Sequence, residues 1–378
     1  LGYNVYSVPA GQYLIGTNGK LNPNATLGRH FSYKGQDYTL MPDDWNDAVY
    51  NNSLRQEYSV TANATTERSS FYASVNYLDN EGITPNSQYD RLTGRLKADY
   101  QIKPWLKVGG NFSYTHFEAD QTNPDDEGAS NSSGNVFAMS TLAPVYSVYV
   151  RDGEGNIMHD ELTNMPMYDY GDGTHNGVVR TMLKSANPLS QNQLDKNNYN
   201  GNAFNVSGFA EIRFLKDFKF TTSNSVYIDE TRQTNTINPY YGQYASSNGI
   251  VYKYHTRSVS QNYLQQLDWR KEFGAHSLEV MLAHEAYKYD YSYLYGSKSN
   301  QFSPDNDELA GAVVAGSASS YRSDYNTEGW LGRAQYNYDD KYFASASFRR
   351  DASSRFHKDN RWGNFWSLGG AWLISKEK

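Results

Sequence analysis

The chain of 378 residues carries 34 Lys and Arg against 41 Asp and Glu, and its net charge of -7 at pH 7 argues against nucleic acid as its main partner. It has no cysteine, which excludes disulfides and thiolate metal sites, and its mean hydropathy of -0.78 without any long apolar run excludes a bundle of membrane helices. Only 38% of the residues are hydrophobic, yet 34 Tyr, 16 Phe and 7 Trp must pack against something.

Segments in which apolar and polar residues alternate predict about eleven β-strands, each of the length that a tilted membrane strand needs. The alternation is clear in "RLTGRLKADY", where Leu92 and Leu96 share one face and Arg95 and Lys97 share the other. In chain order the predicted strands cover residues 55–64, 70–79, 90–100, 105–117, 202–213, 217–229, 261–273, 276–290, 328–338, 342–351 and 365–374.

The connections between these strands alternate between short and long. The short set comprises "TTERS", "QIKP", "FLKDF", "FGAH" and "YDDKY". The long set comprises "DNEGITPNSQYD" and residues 118–201, 230–260, 291–327 and 352–364. In an up-and-down antiparallel sheet every second connection lies at the same end, so one rim should hold short turns and the other long loops. This asymmetry is typical of outer-membrane β-barrels.

The two adjoining strands near residue 340 indicate which solvent each face of the sheet meets. One face of the first consists of Trp330, Gly332, Ala334, Tyr336 and Tyr338. A soluble sandwich would cover such a face with a second sheet, and nothing obvious in the sequence does so. We therefore expect lipid on this face and a water-filled lumen on the other, with Arg95, Lys97 and Arg333 in its polar wall.

The amino-acid sequences of two long segments resemble those of a known family. "YNYDDKYFASASFRRDASSRFHKDNRWGNFWSLGGAWLISKE" is similar to the later barrel strands of SusC-like (RagA-like) TonB-dependent transporters of the Bacteroidetes outer membrane. "DWNDAVYNNSLRQEYSVTANATTERSSFYASVNYLDNEGITPNSQYDRLTGRLKADYQIKPWLKVGGNFSYT" is similar to their early barrel. "KSANPLSQ", "EIRFLKDFKF" and "EFGAHSLEVMLAHE" resemble the family more weakly, in the same order.

The resemblance implies a 22-stranded barrel that contains an N-terminal plug domain and imports oligosaccharides or peptides. It also implies two partners, the TonB complex that powers import and a SusD-like lipoprotein lid over the extracellular mouth. We expect residues 1–378 to be an interior slice, about half of such a multi-pass barrel in a Gram-negative outer membrane. The plug, the TonB contact and the closing strands are expected to be absent from it, and an oligosaccharide is favoured over a peptide as cargo.

No catalytic, cofactor or metal site is predicted, and we expect no enzyme. The acid-rich loops "DQTNPDDEG" (120–128) and "SPDNDE" (303–308) offer oxygen ligands for calcium but lack EF-hand spacing, which favours solvated loops. His284 and Glu285 lack the second His of a zincin motif. Carboxylate pairs for glycoside hydrolysis stay open, because 41 acidic residues make chance pairs certain.

Tyrosines in the long loops are the candidate cargo-binding residues. "INPYYGQY" supplies Tyr240, Tyr241 and Tyr244, and "MYDYGDG" supplies Tyr168 and Tyr170. Their flat faces could stack on sugar rings or hold a peptide while polar neighbours form hydrogen bonds. The competing interpretation is that these rings pack the loops against each other or against the lid.

Two other functions stay open on the sequence alone. A secreted all-β carbohydrate-binding or carbohydrate-degrading protein could share the bias toward Tyr, Asn and Gly, and it would be a soluble monomer. A structural or adhesive surface β-protein would bind partners without uptake. Only the transporter predicts that loss of the gene abolishes growth on one bulky nutrient.

Overall fold

Eleven strands form one antiparallel sheet in which the spatial order of the strands equals their order in the chain. The computed structural model describes residues 3–121, 145–182, 184–242 and 244–377. The strands are β5 (Arg55–Thr65), β6 (Ser69–Glu81), β7 (Gln88–Lys103), β8 (Leu106–Asp120), β9 (Lys196–Phe214), β10 (Phe218–Ile237), β11 (Ile250–Phe273), β12 (His276–Gln301), β13 (Ala312–Tyr338), β14 (Tyr342–Ser353) and β15 (Trp362–Trp372). The predicted all-β, up-and-down fold is confirmed.

Short and long connections alternate along the sheet as predicted, but two of the predicted loops are much shorter. Turns of two or three residues join the strands at one end. At the other end the expected loops 230–260 and 291–327 shrink to 238–249 and 302–311, because β10 to β13 continue toward them. These extensions are rich in Tyr, Thr and Ser rather than aliphatic residues. In these extensions apolar and polar residues no longer alternate regularly. Backbone hydrogen bonds and the preference of Tyr and Thr for strands stabilise the extended conformation there.

The two faces of the sheet differ sharply in chemistry. Residues paired across neighbouring strands share a face, and one such row crosses eight strands: Leu106, Ile212, Phe220, Leu267, Leu282, Gly332, Phe348 and Trp366. Leu282, Phe348 and Trp366 are 56%, 51% and 75% exposed, so the row is uncovered. We call this side the apolar face. The opposite side, the polar face, carries rows such as Lys97, Asn111, Ser207 and Ser225.

The main hydrophobic core of buried residues lies beside the sheet, in the segment before β5 and in the long connection between β8 and β9. Helix α1 (Trp45–Val49) and helix α2 (Pro188–Leu194) supply part of it. The full cluster is Trp45, Val49, Tyr146, Val148, Tyr168, Tyr170, Ala186 and Leu189. We call it the loop core.

Local sequence explains how the two short helices of the loop core begin. The side chain of Asp44 caps α1 by accepting hydrogen bonds from the backbone N–H groups of Asn46 and Asp47. Asn187 caps α2, and Pro188 follows at the first helical position, where a missing N–H group costs nothing. Neither helix, nor any other in the described parts of the chain, has the length and apolar character needed to span a membrane.

Two small hairpins precede the sheet. The first pairs β1 (Tyr6–Ser7) with β2 (Thr26–Leu27), and the second pairs β3 (Arg29–Tyr33) with β4 (Gln36–Leu40). The indole Nε1 of Trp45, which follows the second hairpin, donates to the Tyr146 carbonyl at 3.1 Å. This buried hydrogen bond helps to tie the N-terminal segment to the long connection.

A glycine in β8 provides a test of the predicted register. A Cβ on Gly109 would stand 2.4 Å from Cε1 of the Phe209 ring on β9, whereas a Cβ on Gly94 would meet nothing within 4 Å. We expect Gly109→Ala to lower the free energy of unfolding by about 1–3 kcal/mol, because the ring must leave its position. Gly94→Ala should be neutral or mildly stabilising. Urea-unfolding midpoints measure both, and equal midpoints for the two variants would contradict the register.

Candidate ligand-binding surface

A pocket of about 730 Å³ opens on the polar face across strands β10 to β15. Ser225, Asn262 and Tyr287 line it from the middle strands, and Phe356 and Arg361 line it from the connection between β14 and β15. Because residues of β10 and β15 share one pocket, the sheet must curve around this side. The polar face is therefore concave here, as the inside of a barrel wall would be.

Three charged side chains meet in this pocket. Arg349 of β14 pairs with Asp351 on its own strand and reaches Glu285 on β12, both at 2.7 Å between nitrogen and oxygen. Gly329 of β13 lies between Glu285 and Asp351 in the register, and its missing side chain leaves room for this bridge. All three charged side chains are more than a third exposed, so they contribute little to stability. They are available as hydrogen-bonding groups for a ligand.

A line of tyrosines on the polar face runs from the pocket toward the long loops. Its members on β12 are Tyr287, Tyr289, Tyr291, Tyr293 and Tyr295, and Tyr321 and Tyr325 on β13 pair with them. Neighbouring rings are close, with centroids 5.3 Å apart for Tyr289 and Tyr325 and 5.1 Å apart for Tyr293 and Tyr321. We call these seven residues the tyrosine ladder.

Most of the tyrosine ladder lies outside the strands predicted from the sequence. The predicted strand ends at residue 290 and is followed by a predicted loop over 291–327, although "YKYDYSYLY" repeats tyrosine at every second position. That strict period of two indicates a strand with all its rings on one face. The tyrosine period thus indicates the strand, while the residues between the tyrosines, which are mostly polar, hide the usual alternation of apolar and polar residues.

Two of the predicted cargo-binding tyrosines are buried in the loop core. Tyr168 and Tyr170 are 5% and 4% exposed, and their hydroxyls bond to Gln193 and Ser190. Burial raises the pKa of both hydroxyls, which stay protonated. Their rings pack within the protein and hold the loop in shape, as the competing interpretation expected.

The second group of predicted tyrosines joins this core at its edge. Tyr241 stacks on Tyr170 with ring centroids 5.4 Å apart, and Tyr240 lies next to Tyr241 at 6.3 Å. Tyr244 is 42% exposed and Tyr240 is half-buried. Tyr241 is half-buried as well, so all three tyrosines of this group keep some surface open to solvent, unlike Tyr168 and Tyr170.

A buried carboxyl anchors the junction between this loop group and the sheet. Asp195, at the end of α2, accepts hydrogen bonds from the backbone N–H and the side-chain amide of Asn238 at 2.8 and 2.6 Å. Burial raises the pKa of Asp195 to about 6, against the opposing effect of the two hydrogen bonds from Asn238. The connection that carries Tyr240 is therefore fixed directly to the base of the loop core.

Arg95, Lys97 and Arg333 all lie on the polar face. Nε of Arg95 donates to the side-chain oxygen of Asn111 at 2.9 Å. Arg333 lines a separate pocket near the short turns, together with Asp268 and Glu279. Five strands lie between β7 and β13, so these three residues belong to one surface but form no common cluster.

Two of the three acidic residues of the 303–308 loop pair with lysines of the sheet. Asp307 contacts Lys196 at 3.0 Å, and Glu308 contacts Lys253 at 2.9 Å. Most of the other acid-rich loop, 120–128, lies outside the described residues. Within the described ranges, no three His, Asp or Glu side chains form a group that could hold a metal ion.

Comparison with known proteins identifies TonB-dependent receptors as similar proteins. No family model matches the chain. TonB-dependent receptor P3 of Formosa agariphila and TonB-dependent receptor SusC of Bacteroides thetaiotaomicron are each 26% identical to it over 88% of its residues. The chain spans 32% of each of these relatives, about a third of their length. The resemblance to SusC-like TonB-dependent receptors is confirmed.

A solved structure shares the fold. The structure of the RagAB peptide transporter superimposes with a TM-score of 0.72 at 22% sequence identity, over 89% of this chain and 36% of that one. At this level of identity the match concerns the fold alone. It agrees with an eleven-stranded sheet that forms part of a larger barrel.

The contact between Tyr241 and Asp160 generates a pH-dependent prediction. Burial opposes ionisation of Asp160, but hydrogen bonds from the Tyr241 hydroxyl and from Thr163 outweigh it and hold the pKa of this carboxyl below its usual value. The resulting stability is present above the unfolded-state pKa and is lost as the pH falls through the folded-state pKa. We expect Tyr241→Phe to destabilise the loop core by about 1–3 kcal/mol at pH 7, and by less at a pH below the folded-state pKa.

Urea-dependent hydrogen exchange of residues 145–182 measures this difference when variant and parent are compared at the same pH. Tyr240→Phe is the matched control, since it removes a neighbouring hydroxyl without touching Asp160, and it should change stability by less than about 0.5 kcal/mol. Equal effects of the two variants, or an effect of Tyr241→Phe that is independent of pH, would refute the assignment.

Proposed function

We propose that this chain forms about half the wall of an outer-membrane barrel that imports a bulky nutrient with energy from TonB. The observation that carries the proposal is the uncovered apolar face, which crosses the sheet from Leu106 to Trp366. In water, each Å² of such a surface costs about 25 cal/mol, so an exposed apolar band of this extent needs a lipid environment. The similarity to TonB-dependent receptors supports the same conclusion.

Lipid would cover only the part of the apolar face nearest the short turns. Farther along the same side of β11 to β13, the exposed positions become charged, with Arg257, Lys288 and Arg322. Charged side chains are expensive inside a bilayer, so these residues mark strand segments that project beyond it. Trp330 stands between the two zones, as an interfacial aromatic residue does.

The polar face would line the passage for cargo. Its pocket, its ion-paired Arg349 and its hydroxyl-bearing residues offer reversible contacts and no covalent chemistry. We therefore propose a transport protein that uses no cofactor and is not an enzyme. Arg95, Lys97 and Arg333 would keep the passage wetted, and Tyr240 and Tyr244 would touch cargo at the loop rim.

The partners follow from the proposed whole protein. The chain covers about a third of its relatives, and we assign the plug, the TonB contact and the closing strands to the remainder of the full-length transporter. A SusD-like lipoprotein would cover the loop end. We propose an oligosaccharide rather than a peptide as cargo; RagAB, which shares the fold, is described as a peptide transporter.

Adjacent residues of β14 test the membrane-facing wall. Phe348 points to the apolar face and Ser347 points to the polar face, where its hydroxyl lies 2.7 Å from that of Ser367. Phe348 pairs with Gly332, two positions from the interfacial Trp330, so we expect Phe348→Lys to cost about 1–2 kcal/mol, less than a Lys at the bilayer midplane, and to deplete folded protein from the outer membrane. Ser347→Lys should be tolerated. The measurement is the amount of heat-modifiable full-length protein in outer-membrane fractions, and equal tolerance of both variants would contradict the proposal.

Deletion of the parent gene tests import itself. We expect the deletion strain to lose growth on one bulky nutrient while it keeps growth on that nutrient's small subunits, which cross the membrane by general porins. A complemented strain is the control. Unchanged growth on all bulky nutrients, together with recovery of a soluble monomer without detergent, would favour a secreted carbohydrate-binding protein instead.

A further inference from the structure

The tyrosine ladder presents ring surface to the side that the proposed function assigns to cargo. All five tyrosines of β12 are half-buried, and Tyr321 of β13 is 53% exposed. The polar face around Tyr287 opens into the pocket that contains Glu285 and Arg349. The ladder thus continues from the pocket toward the loop end as one surface.

The residues that pair with the ladder on β11 and β13 are uncharged. On the polar face its neighbours on β11 are Tyr254, Thr256, Ser258 and Ser260, and between its members on β13 stands Ser323. Charged residues of the same strand segments, such as Lys288, Asp290 and Asp324, point to the opposite face. The separation leaves a strip of aromatic rings and hydroxyl groups, with Arg355 at one end, 4.2 Å from the ring of Tyr325.

The dimensions of the ladder fit an extended ligand. From Tyr287 to Tyr295 the strand advances eight residues, about 27 Å at about 3.4 Å per residue. A compact small molecule would cover only one or two of these rings. A linear chain of repeating flat units can contact all of them at once.

We propose that the tyrosine ladder is a binding track for a linear, uncharged oligosaccharide. Its sugar rings stack on the tyrosines, and its hydroxyls exchange hydrogen bonds with Thr256, Ser258 and Ser260. A peptide carries charged groups along its length, whereas the charged side chains described near this strip, Arg355 and the pocket's Glu285 and Arg349, lie toward its Tyr287 end, so an uncharged polyhydroxy ligand fits the chemistry better. The inference rests on the proposed import function and adds the binding site and the linear, uncharged character of the oligosaccharide.

The test uses the full-length transporter purified from outer membranes. The probes are linear heptasaccharides of α-1,4-glucose, β-1,3-glucose and β-1,4-mannose, their trisaccharides, a galacturonic acid heptasaccharide and a mixture of peptides, with affinities measured by calorimetry. We expect one neutral heptasaccharide to bind more tightly than its trisaccharide. Tyr293→Ala should weaken that binding about 5- to 20-fold, the loss of one stacking partner.

Two variants keep the test independent of folding. Tyr293→Phe retains the ring and should stay within about fivefold of the parent, because a typical hydrogen bond is worth only about 1 kcal/mol net. Leu294→Ala removes an exposed side chain from the opposite face of the same strand and should leave the affinity unchanged. Heat modifiability confirms that each variant is folded.

Three results would overturn the inference. They are binding of peptides with no binding of any neutral heptasaccharide, a preference for the charged galacturonic acid chain, and an unchanged heptasaccharide affinity in Tyr293→Ala. Each leaves the import function intact if deletion of the gene still abolishes growth on a bulky nutrient. Absence of that growth defect would instead overturn the proposed function, and the ladder with it.

Discussion

Antiparallel hydrogen bonding between the backbones of neighbouring strands is the constraint on which the rest of the molecule depends. Pairing between neighbouring strands satisfies the N–H and C=O groups inside the sheet, a strict requirement wherever lipid replaces water. The same pairing fixes side chains in rows with a period of two, so a single register assigns Phe348 to one side and Ser347 to the other. The same backbone hydrogen bonds therefore place the apolar residues on one face of the sheet and the polar residues on the other.

The conventional hydrophobic core of this chain is displaced from the sheet to the loops. Trp45, Tyr146 and Leu189 pack in the loop core, while Leu282 and Trp366 remain uncovered on the sheet. This division explains the composition, in which aromatic residues are abundant and aliphatic residues are scarce. The loop core holds the long connection in a defined shape, and Asp195 fixes the next connection to it through Asn238.

The sequence predicted the structure where apolar and polar residues alternate along a strand. It did not predict contacts between residues that are far apart in the chain. Alternation of Leu92, Arg95 and Leu96 predicted a strand and both of its faces, and the strict alternation of short and long connections predicted the meander. The loop core could not be foreseen, because the contact of Trp45 with Tyr146 joins residues about a hundred positions apart. The same long-range packing explains Tyr168 and Tyr170. Their residue type suits ligand binding, but distant parts of the chain bury them in the loop core. The tyrosine ladder on β12 can be predicted from the sequence, because tyrosine recurs at every second position within one short segment.

The central claim is that the apolar face meets lipid while the polar face meets water. Single cysteines at each position from 344 to 349 of β14, in a full-length protein free of other cysteines, test it most directly. A water-soluble maleimide should label positions 345, 347 and 349, and spin labels at 344, 346 and 348 should collide with oxygen dissolved in lipid. Labelling by the water-soluble reagent at all six positions would contradict the account.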